Sequence, residues 1–484
     1  MNVDPKKFPK PAIRRRVVSF CTSIFLLTSF SCANYYAQHY DFNKEFERGD
    51  LQKALATLQK NTDDERGKTR FIHFANQGLL LSILGQYDES NAALEKAFLF
   101  GEDYRVNYFH EAASYFTNPN FTVYKGEDHE HLMVLYFKAI NFLKMNRPED
   151  ALIECRRLNI RLNQLSDKYT SEKKFQQDAF VHTLMGIIYQ STGDYNNAFI
   201  AYRNAVNVYE GTYDSLFGIV VPEQLKIDLL NTAYWTGFNA EFEEYKIKFS
   251  KEDYVPAKPE AELVFFWHNG LGPIKDEWSV NFAINPSGDN AVVFTNDMLG
   301  FSFPYEVKEK EDQSRLTSLQ LFRVAFPRYL ERPTYFSSAV IESSDSVTYP
   351  LELSEDISKV AFLSLKQRMF QEFSKGLLRA ALKKATEQSI RKDDERLGAL
   401  IGLMNVITEQ ADTRNWQTLP HNILYARVPL KEGANDIRFT MQSVDTKGPV
   451  TYPFTYQAKK GQTLFHTFSS LEALPPNRIY GGQF

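Results

Sequence analysis

Apolar residues recur every three or four positions from Tyr36 to about Phe249, broken by short polar turns. That period predicts amphipathic helices, each with one stripe to bury. After Ala261 the period changes. Leu263 to Trp267 is an unbroken apolar run suited to a buried strand, and Asn269 to Pro273 closes it. Val280–Ile284, Ala291–Thr295, Leu321–Phe326 and Ser337–Glu342 read as further strands. Nearer the C-terminus the alternation is strict: Ile437, Phe439 and Met441 oppose Arg438, Thr440 and Gln442, and Val450, Tyr452, Phe454 and Tyr456 oppose Thr451, Pro453 and Thr455. These are antiparallel strands with one wet face. Between the two groups, Glu355 to about Lys392 is helical in pattern, with Val360, Leu363, Phe370, Phe373 and Leu377 near heptad spacing. A shorter helix follows from about Asp394 to Gln410, where Gly398 and Gly402 permit close helix contact.

Within the helical half one unit is especially well formed. Gly186, Tyr189, Gly193, Tyr195, Ala198, Tyr202 and Ala205 carry small residues where two helices approach, tyrosines in the spaces between them, and a turn at Gly193-Asp194. In these seven positions the unit resembles the tetratricopeptide repeat. A second copy runs through Phe74, Gly78, Leu81, Gly85, Tyr87, Leu94 and Ala97, and a partial one through Gly49, Leu51, Ala54 and Leu58. A third full copy is Ala139, Phe142, Asn146, Pro148, Ala151, Cys155 and Leu158. Leu225 to Phe249 supplies a final helix pair. The uneven spacing implies insertions in a short array, and the largest is Tyr115 to Glu130.

The fold expected is therefore α + β and multidomain. A tetratricopeptide-like α-solenoid spans residues 32–249, a proline-bearing linker 250–260, and an antiparallel β-sandwich-like domain 261–484, with a helical hairpin inserted at about 355–410. Residues 1–31 read as an export signal. Lys6, Lys7, Lys10 and Arg14 to Arg16 precede an apolar stretch from Val17 to Phe30, which is short for a membrane span. Ser29-Phe30-Ser31-Cys32-Ala33 resembles a bacterial lipoprotein signal, which makes Cys32 the lipid-bearing N-terminus and the lipid its link to a membrane. Ser29 stands where such signals usually carry leucine, so ordinary cleavage before Asn34 and an uncleaved anchor stay open. The absence of an acid after Cys32 points to the outer membrane.

Composition narrows the function. The 484 residues carry a formal charge of −4, which becomes −9 once residues 1–31, with six basic residues and one acidic, are removed. No basic patch of the kind that neutralises phosphates is present, so nucleic acid is excluded as a partner. With Cys21 in the signal and Cys32 lipidated, Cys155 is the one thiol left, and its place in the repeat is a core position, inert rather than reactive. The Gly-x-Ser-x-Gly, His-Glu-x-x-His and phosphate-loop patterns are absent, so the chain reads as a binding protein and not an enzyme. No cofactor is implied.

Two segments stand out as candidate sites. Tyr124-Lys125-Gly126-Glu127-Asp128-His129-Glu130-His131 is acidic with two histidines, and the choices are a helix cap at Glu127 or Asp128, a partner-binding loop, or a divalent cation; capping is the simplest. In Asp412-Thr413-Arg414-Asn415-Trp416, Arg414 pairs with Asp412 and Trp416 plugs the core, or Arg414, Trp416 and Arg427 form a recognition site. Tyr124, Glu127, Asp128, Arg414, Trp416 and Arg427 are thus the partner-binding candidates. These stretches, with Ile423, Ala426 and Gly433, together with the repeat half resemble a family of bacterial envelope lipoproteins with no assigned activity. The resemblance implies location and architecture. By analogy with other repeat-bearing lipoproteins, the leading reading is a tethered scaffold whose repeats bind an envelope protein partner, in cell-wall synthesis or outer-membrane assembly. The alternative is a glycan- or nutrient-binding lipoprotein, suggested by Tyr452 and Tyr456.

Overall fold

A computed structural model describes residues 34–103, 123–168, 178–307, 309–319, 321–393, 411–445 and 448–476. The signal segment with Cys32, most of the Tyr115–Glu130 insertion and the short helix expected at 394–410 lie outside the described residues. So do the side chains of Phe370 and Phe373.

The helical half opens with α1 (Tyr35–Gln38) and is then built from hairpins. α2 (Tyr40–Glu47) pairs with α3 (Leu51–Lys60), and α4 (Thr62–Arg66) leads to the next pair, α5 (Arg70–Ile83) with α6 (Tyr87–Asp103). α7 (Asp128–Lys144) pairs with α8 (Pro148–Lys168), α9 (Ala179–Ser191) with α10 (Tyr195–Val208), and α12 (Glu223–Thr236) with α13 (Asn239–Lys248). Between the last two pairs, a π-helical turn at Tyr209–Tyr213 runs into α11 (Asp214–Phe217). Each pair turns on a left-handed residue just past its first helix: Gly49 (φ 76°), Gly85 (78°), Asn146 (57°), Gly193 (80°) and Gly237 (85°). Glycine adopts that conformation without penalty and asparagine is the next most tolerant, which is why the third unit can use Asn146.

Close packing between paired helices follows the small-residue positions. A Cβ on Gly186 would sit 2.3 Å from the Tyr202 ring, and one on Gly78 would sit 2.4 Å from Leu94. The repeat is therefore a steric fit as well as a pattern.

Among the described residues of the second half, the strands form three four-stranded sheets. The first runs β12-β1-β9-β8, with β1 (Ala261–Asn269), β8 (Glu352–Asp356), β9 (Asn422–Leu430) and β12 (Thr463–Ser470). The second runs β11-β10-β6-β7, with β6 (Phe336–Ser343), β7 (Thr348–Pro350), β10 (Gly433–Ser443) and β11 (Val450–Ala458). These two face each other across Leu263, Phe265, Trp267, Ile341, Phe439 and Met441, giving the expected sandwich. Two features differ from the sequence expectation. β12 pairs with β1 in parallel, because the turn after β11 crosses to the other sheet instead of closing a hairpin. A third sheet, β4-β3-β2-β5, stands apart from the sandwich, with β2 (Ile274–Pro286), β3 (Ala291–Asn296), β4 (Phe301–Glu306) and β5 (Leu321–Leu330). It buries its apolar face on α14 (Lys310–Thr317) and on Leu377, Ala381 and Ala385 of α15 (Ile357–Asp393).

All nine residues of β1 are buried. Leu263, Phe265 and Trp267 enter the sandwich core, while Val264 and Phe266 join the core of the helical half. Ile423 and Tyr425 of β9, Ile357 and Val360 of α15, and Trp416 and Leu419 join it too. The repeats and the first sheet therefore share one hydrophobic core, and the layers run helices, sheet, sheet.

The steric fit gives a direct check. Gly186→Ala is expected to destabilise the chain by about 1–3 kcal/mol, since the added methyl forces Tyr202 from its place. Gly211→Ala, where a Cβ meets nothing within 4 Å, should change stability by less than about 0.5 kcal/mol. Denaturant titration of both variants reads the difference.

Candidate functional site

In a stack of helical hairpins the first helices line the inner face, where such arrays commonly hold a ligand. Here that face is occupied by the chain itself. Each first helix, or its cap, directs one polar side chain inward, and each of the five meets the C-terminal half. Asn43 of α2 accepts from Gln417 Nε2 at 2.9 Å, and Asn76 of α5 accepts from Thr418 Oγ1 at 2.6 Å. Glu130 of α7 accepts from the Trp416 backbone N–H at 2.6 Å. Asp178, the N-cap of α9, shares a hydrogen bond with Glu355 of β8. Asp228 of α12 lies 3.1 Å from Nε of Arg427 on β9.

The segment 411–421 crosses the first three hairpins as an extended, irregular stretch, held at both sides. Thr413 Oγ1 accepts from the Tyr35 N–H at 3.0 Å, and Asn415 donates to the Pro273 carbonyl at 2.8 Å while accepting from the Lys275 N–H at 3.2 Å. The buried Arg332 guanidinium ties Gln417 and Gly272 carbonyls to Glu47 of α2. Trp416 is 1% exposed, with its ring 6.1 Å from Phe137. Backbone groups that would be orphaned in a buried loop are thus paired one by one.

The sequence candidates fall into two buried groups within this contact. At the first, Glu127 caps α7 in a reciprocal capping box with Glu130, as its position before the helix suggested. Glu127 also pairs with Lys275 of β2, which is 1% exposed. Tyr124 Oη donates to Glu130 at 2.7 Å, and its ring lies 5.2 Å beneath the Arg414 guanidinium. Arg414 makes a two-pronged pair with Asp412, at 2.8 and 2.6 Å. Asp128 lies in the first turn of α7, partly buried. At the second group, Arg427 reaches Asp228, Glu262 (2.7 Å) and the Tyr202 hydroxyl (3.0 Å). The geometry joins Tyr124, Glu127, Arg414 and Trp416, but Arg427 is in a separate cluster, and all five are sequestered from solvent by other parts of the same chain.

His129 and His131 are also accounted for by packing. His131 lies tilted against Phe71, ring centroids 4.8 Å apart, and its Nε2 lies 2.7 Å from the Lys125 carbonyl, and His129 sits edge-on to Tyr329. Among the described residues no three His, Cys, Asp or Glu side chains gather as ligands of a metal would. Cys155 is fully buried and its thiol is pushed up by burial, the direction of an unreactive side chain. Two serine–histidine contacts occur among the described residues, Ser469 Oγ to His268 Nδ1 at 3.3 Å and Ser358 Oγ to His421 Nδ1 at 2.8 Å. Ser358 is 1% exposed and burial drives His421 down to about 4, so the pair clamps the start of α15 to residue 421.

Sequence reasoning missed the polar row of Asn43, Asn76, Asp178 and Asp228. For Asp228 the signal was present, since it sits between Ile227 and Leu229 on an apolar face where a free-standing repeat would have no use for it; Asn43 and Asp178 have polar neighbours and gave none.

Burial sets the protonation of this contact. It raises Glu130 to about 7, assisted by the Glu127 charge and opposed by three donors, and raises Asp228 to about 6 against the pull of Arg427. Asp178 and Glu355 are both raised by burial, and the Asp178 charge raises Glu355 further.

No known family model matches the chain, and no curated protein is significantly similar to it. Among solved structures it is similar to MamA from Desulfovibrio magneticus RS-1 at 16% identity and a TM-score of 0.28, over 44% of this chain and 92% of that one. It is similar to a Podosopora anserina putative kinesin light chain with TPR-like repeats at 12% identity and 0.29, over 45% and 93%. For the apo form of RapI the values are 15% and 0.32, over 48% and 57%. Likenesses at this level carry no functional argument. The helix pairs, turns and close approaches described above make the N-terminal half a tetratricopeptide-like array on their own.

Two outcomes are expected. Arg427→Ala strands Asp228 and Glu262 in the interior and should cost about 3–5 kcal/mol, much of it recovered in the Arg427→Met, Asp228→Leu double variant; denaturant titration of the single and double variants reads both. The second concerns pH. Glu130 and Asp228 bind protons more tightly folded than unfolded, so their contribution is fully present below about pH 4 and is lost as pH rises through about 6 and 7. Between pH 5 and 7.5 the Glu130 contribution alone falls by an amount on the order of 3 kcal/mol, while the buried neutral His268, His421 and His466, held down to about 3, 4 and 3, contribute in the opposite sense; the check is the difference between the wild type and Glu130→Gln, which should lack the Glu130 part of the slope.

Proposed function

We propose that this chain is a protein-interaction scaffold of the bacterial cell envelope, exported and held at the outer membrane by a lipid on Cys32. The observation that supports it is the architecture: a tetratricopeptide-like array fused through a shared core to a β-sandwich, which makes a rigid body with large outer surfaces. The usual ligand path of such arrays, the inner face, is filled in cis. Tyr124, Glu127, Arg414, Trp416 and Arg427 hold the scaffold's own shape, and a partner engages the outside. The outer helical surface offers Leu99 (51% exposed), Ile153 (49%) and Ile160 (57%) on the second helices α6 and α8. Proteins that assemble cell-wall synthesis or outer-membrane machinery are the partners this reading favours.

The glycan alternative draws less support. Tyr456 is largely packed against Phe454 and His466, which leaves Tyr452 as the accessible aromatic of that strand.

Metabolic labelling with palmitate should mark the wild-type chain and not Cys32→Ala, which should leave the membrane fraction. Cross-linking of the wild-type chain in intact envelopes should capture a recurring protein partner, and capture should fall at least tenfold for Ile153→Glu, Ile160→Glu. Absence of label and of any recurring partner would refute the proposal.

A further inference from the structure

Edges of open sheets present unpaired backbone groups, and proteins normally blunt them with proline, charge or short length. Five of the six edges here are treated that way. β11 carries Pro453, β4 Pro304 and β5 Pro327; β7 has three residues ending in Pro350; and β8 has five, three of them acidic, and runs into α15. β12 is the exception. Its eight residues, Thr-Leu-Phe-His-Thr-Phe-Ser-Ser, include no proline and no charge.

The ladder to β1 fixes which groups of β12 face outward. Glu262 N–H bonds to the Gln462 carbonyl and Gly270 N–H to the Ser470 carbonyl, both at 3.0 Å, so the even-numbered residues of β12 face β1. Thr463, Phe465, Thr467 and Ser469 point their N–H and C=O groups away, and none of these groups has a hydrogen-bond partner among the described residues. Seven of the eight residues are half-exposed. A row of alternating donors and acceptors at strand spacing is matched by another extended polypeptide and by nothing else of comparable fit.

The flank of this edge defines the incoming strand further. On the sandwich side, β11 and β12 form an open mouth of aromatic rings. Tyr452 lies 4.9 Å from Phe468 and Phe454 lies 4.7 Å from His466. Tyr452 remains 39% exposed, and the buried Tyr456 hydroxyl has no hydrogen-bond partner among the described residues. Neither strand carries a charge. At the start of β12, Lys459 and Lys460 are exposed.

We infer that the free edge of β12 is a strand-addition site for an extended segment of a protein partner, uncharged along its length, apolar at alternate positions, and acidic at the end that lies beside Lys459 and Lys460. The inference rests on the scaffold reading only in assigning the strand to a partner; the edge itself is tested alone.

The probe is a fluorescein-labelled ten-residue peptide of alternating valine and threonine closed by two glutamates, titrated by anisotropy into the full mature chain. Saturable binding is expected, weakened at least tenfold by Thr467→Pro, which removes an outward N–H, and by Thr467→Lys, which leaves the backbone intact and keeps the test open should the proline variant fail to fold. Ser302→Lys on β4 should bind as the wild type does. The inference is overturned by no saturable binding, by equal binding to Thr467→Lys, or by a wild-type dimer in sedimentation that Thr467→Lys converts to monomer, which would assign the edge to a second copy. If the peptide binds while envelope cross-linking captures nothing, the scaffold reading fails and the edge stands.

Discussion

A single strand with no solvent-facing side organises this protein. β1 is buried along its whole length, with Leu263, Phe265 and Trp267 in one core and Val264 and Phe266 in another. Neither half can withdraw from it without exposing large apolar side chains, each worth about 1.5–3 kcal/mol of burial. The polar row on the first helices depends on the same contact. Asn43, Asn76, Glu130, Asp178 and Asp228 would each lose a buried partner if the C-terminal half were absent. Their partners on residues 416–418, Glu355 and Arg427 convert that penalty into register, fixing which hairpin meets which part of the sheet.

Function follows from what this contact leaves over. A repeat array with an open inner face captures peptides there. One whose inner face contributes to a shared core has surrendered that use, since displacing Trp416 or Arg427 would open the core as well as free a groove. The recognition proposed above then falls to surfaces the fold leaves open: the outer side of α6 and α8, and the one sheet edge among the described residues that proline and charge do not guard.

Much of the architecture was legible in the sequence because it rests on local physics. Gly186 with Tyr202, and Gly193 after α9, announce the helix pair through spacing and turn chemistry, and the alternation around Phe439 and Phe454 announces two strands. The Asp412–Arg414 pair and the cap at Glu127 were readable for the same reason, being separated by few residues. Contacts across hundreds of positions were not readable. Nothing near Glu130 in sequence says that it meets Trp416, and nothing in β12 says that it runs parallel to β1 rather than pairing with β11. Three strands of the third sheet were legible, but its separation from the sandwich was not, and Phe301–Glu306, with Pro304 inside it, reads poorly as a strand. The candidates Tyr124, Arg414, Trp416 and Arg427 were singled out as aromatic and charged groups suited to recognition. They do recognise something, and it is the rest of their own chain.

Hydrogen exchange in the full-length protein addresses this self-occupied inner face most directly. The peptide spanning residues 411–421 should exchange as slowly as those from α7 and β1, because its amides, Trp416 to Glu130 among them, open only when the shared core does. Exchange of that peptide within minutes, while α5, α7 and β1 stay protected, would show the segment leaving the inner face on its own and would contradict the account.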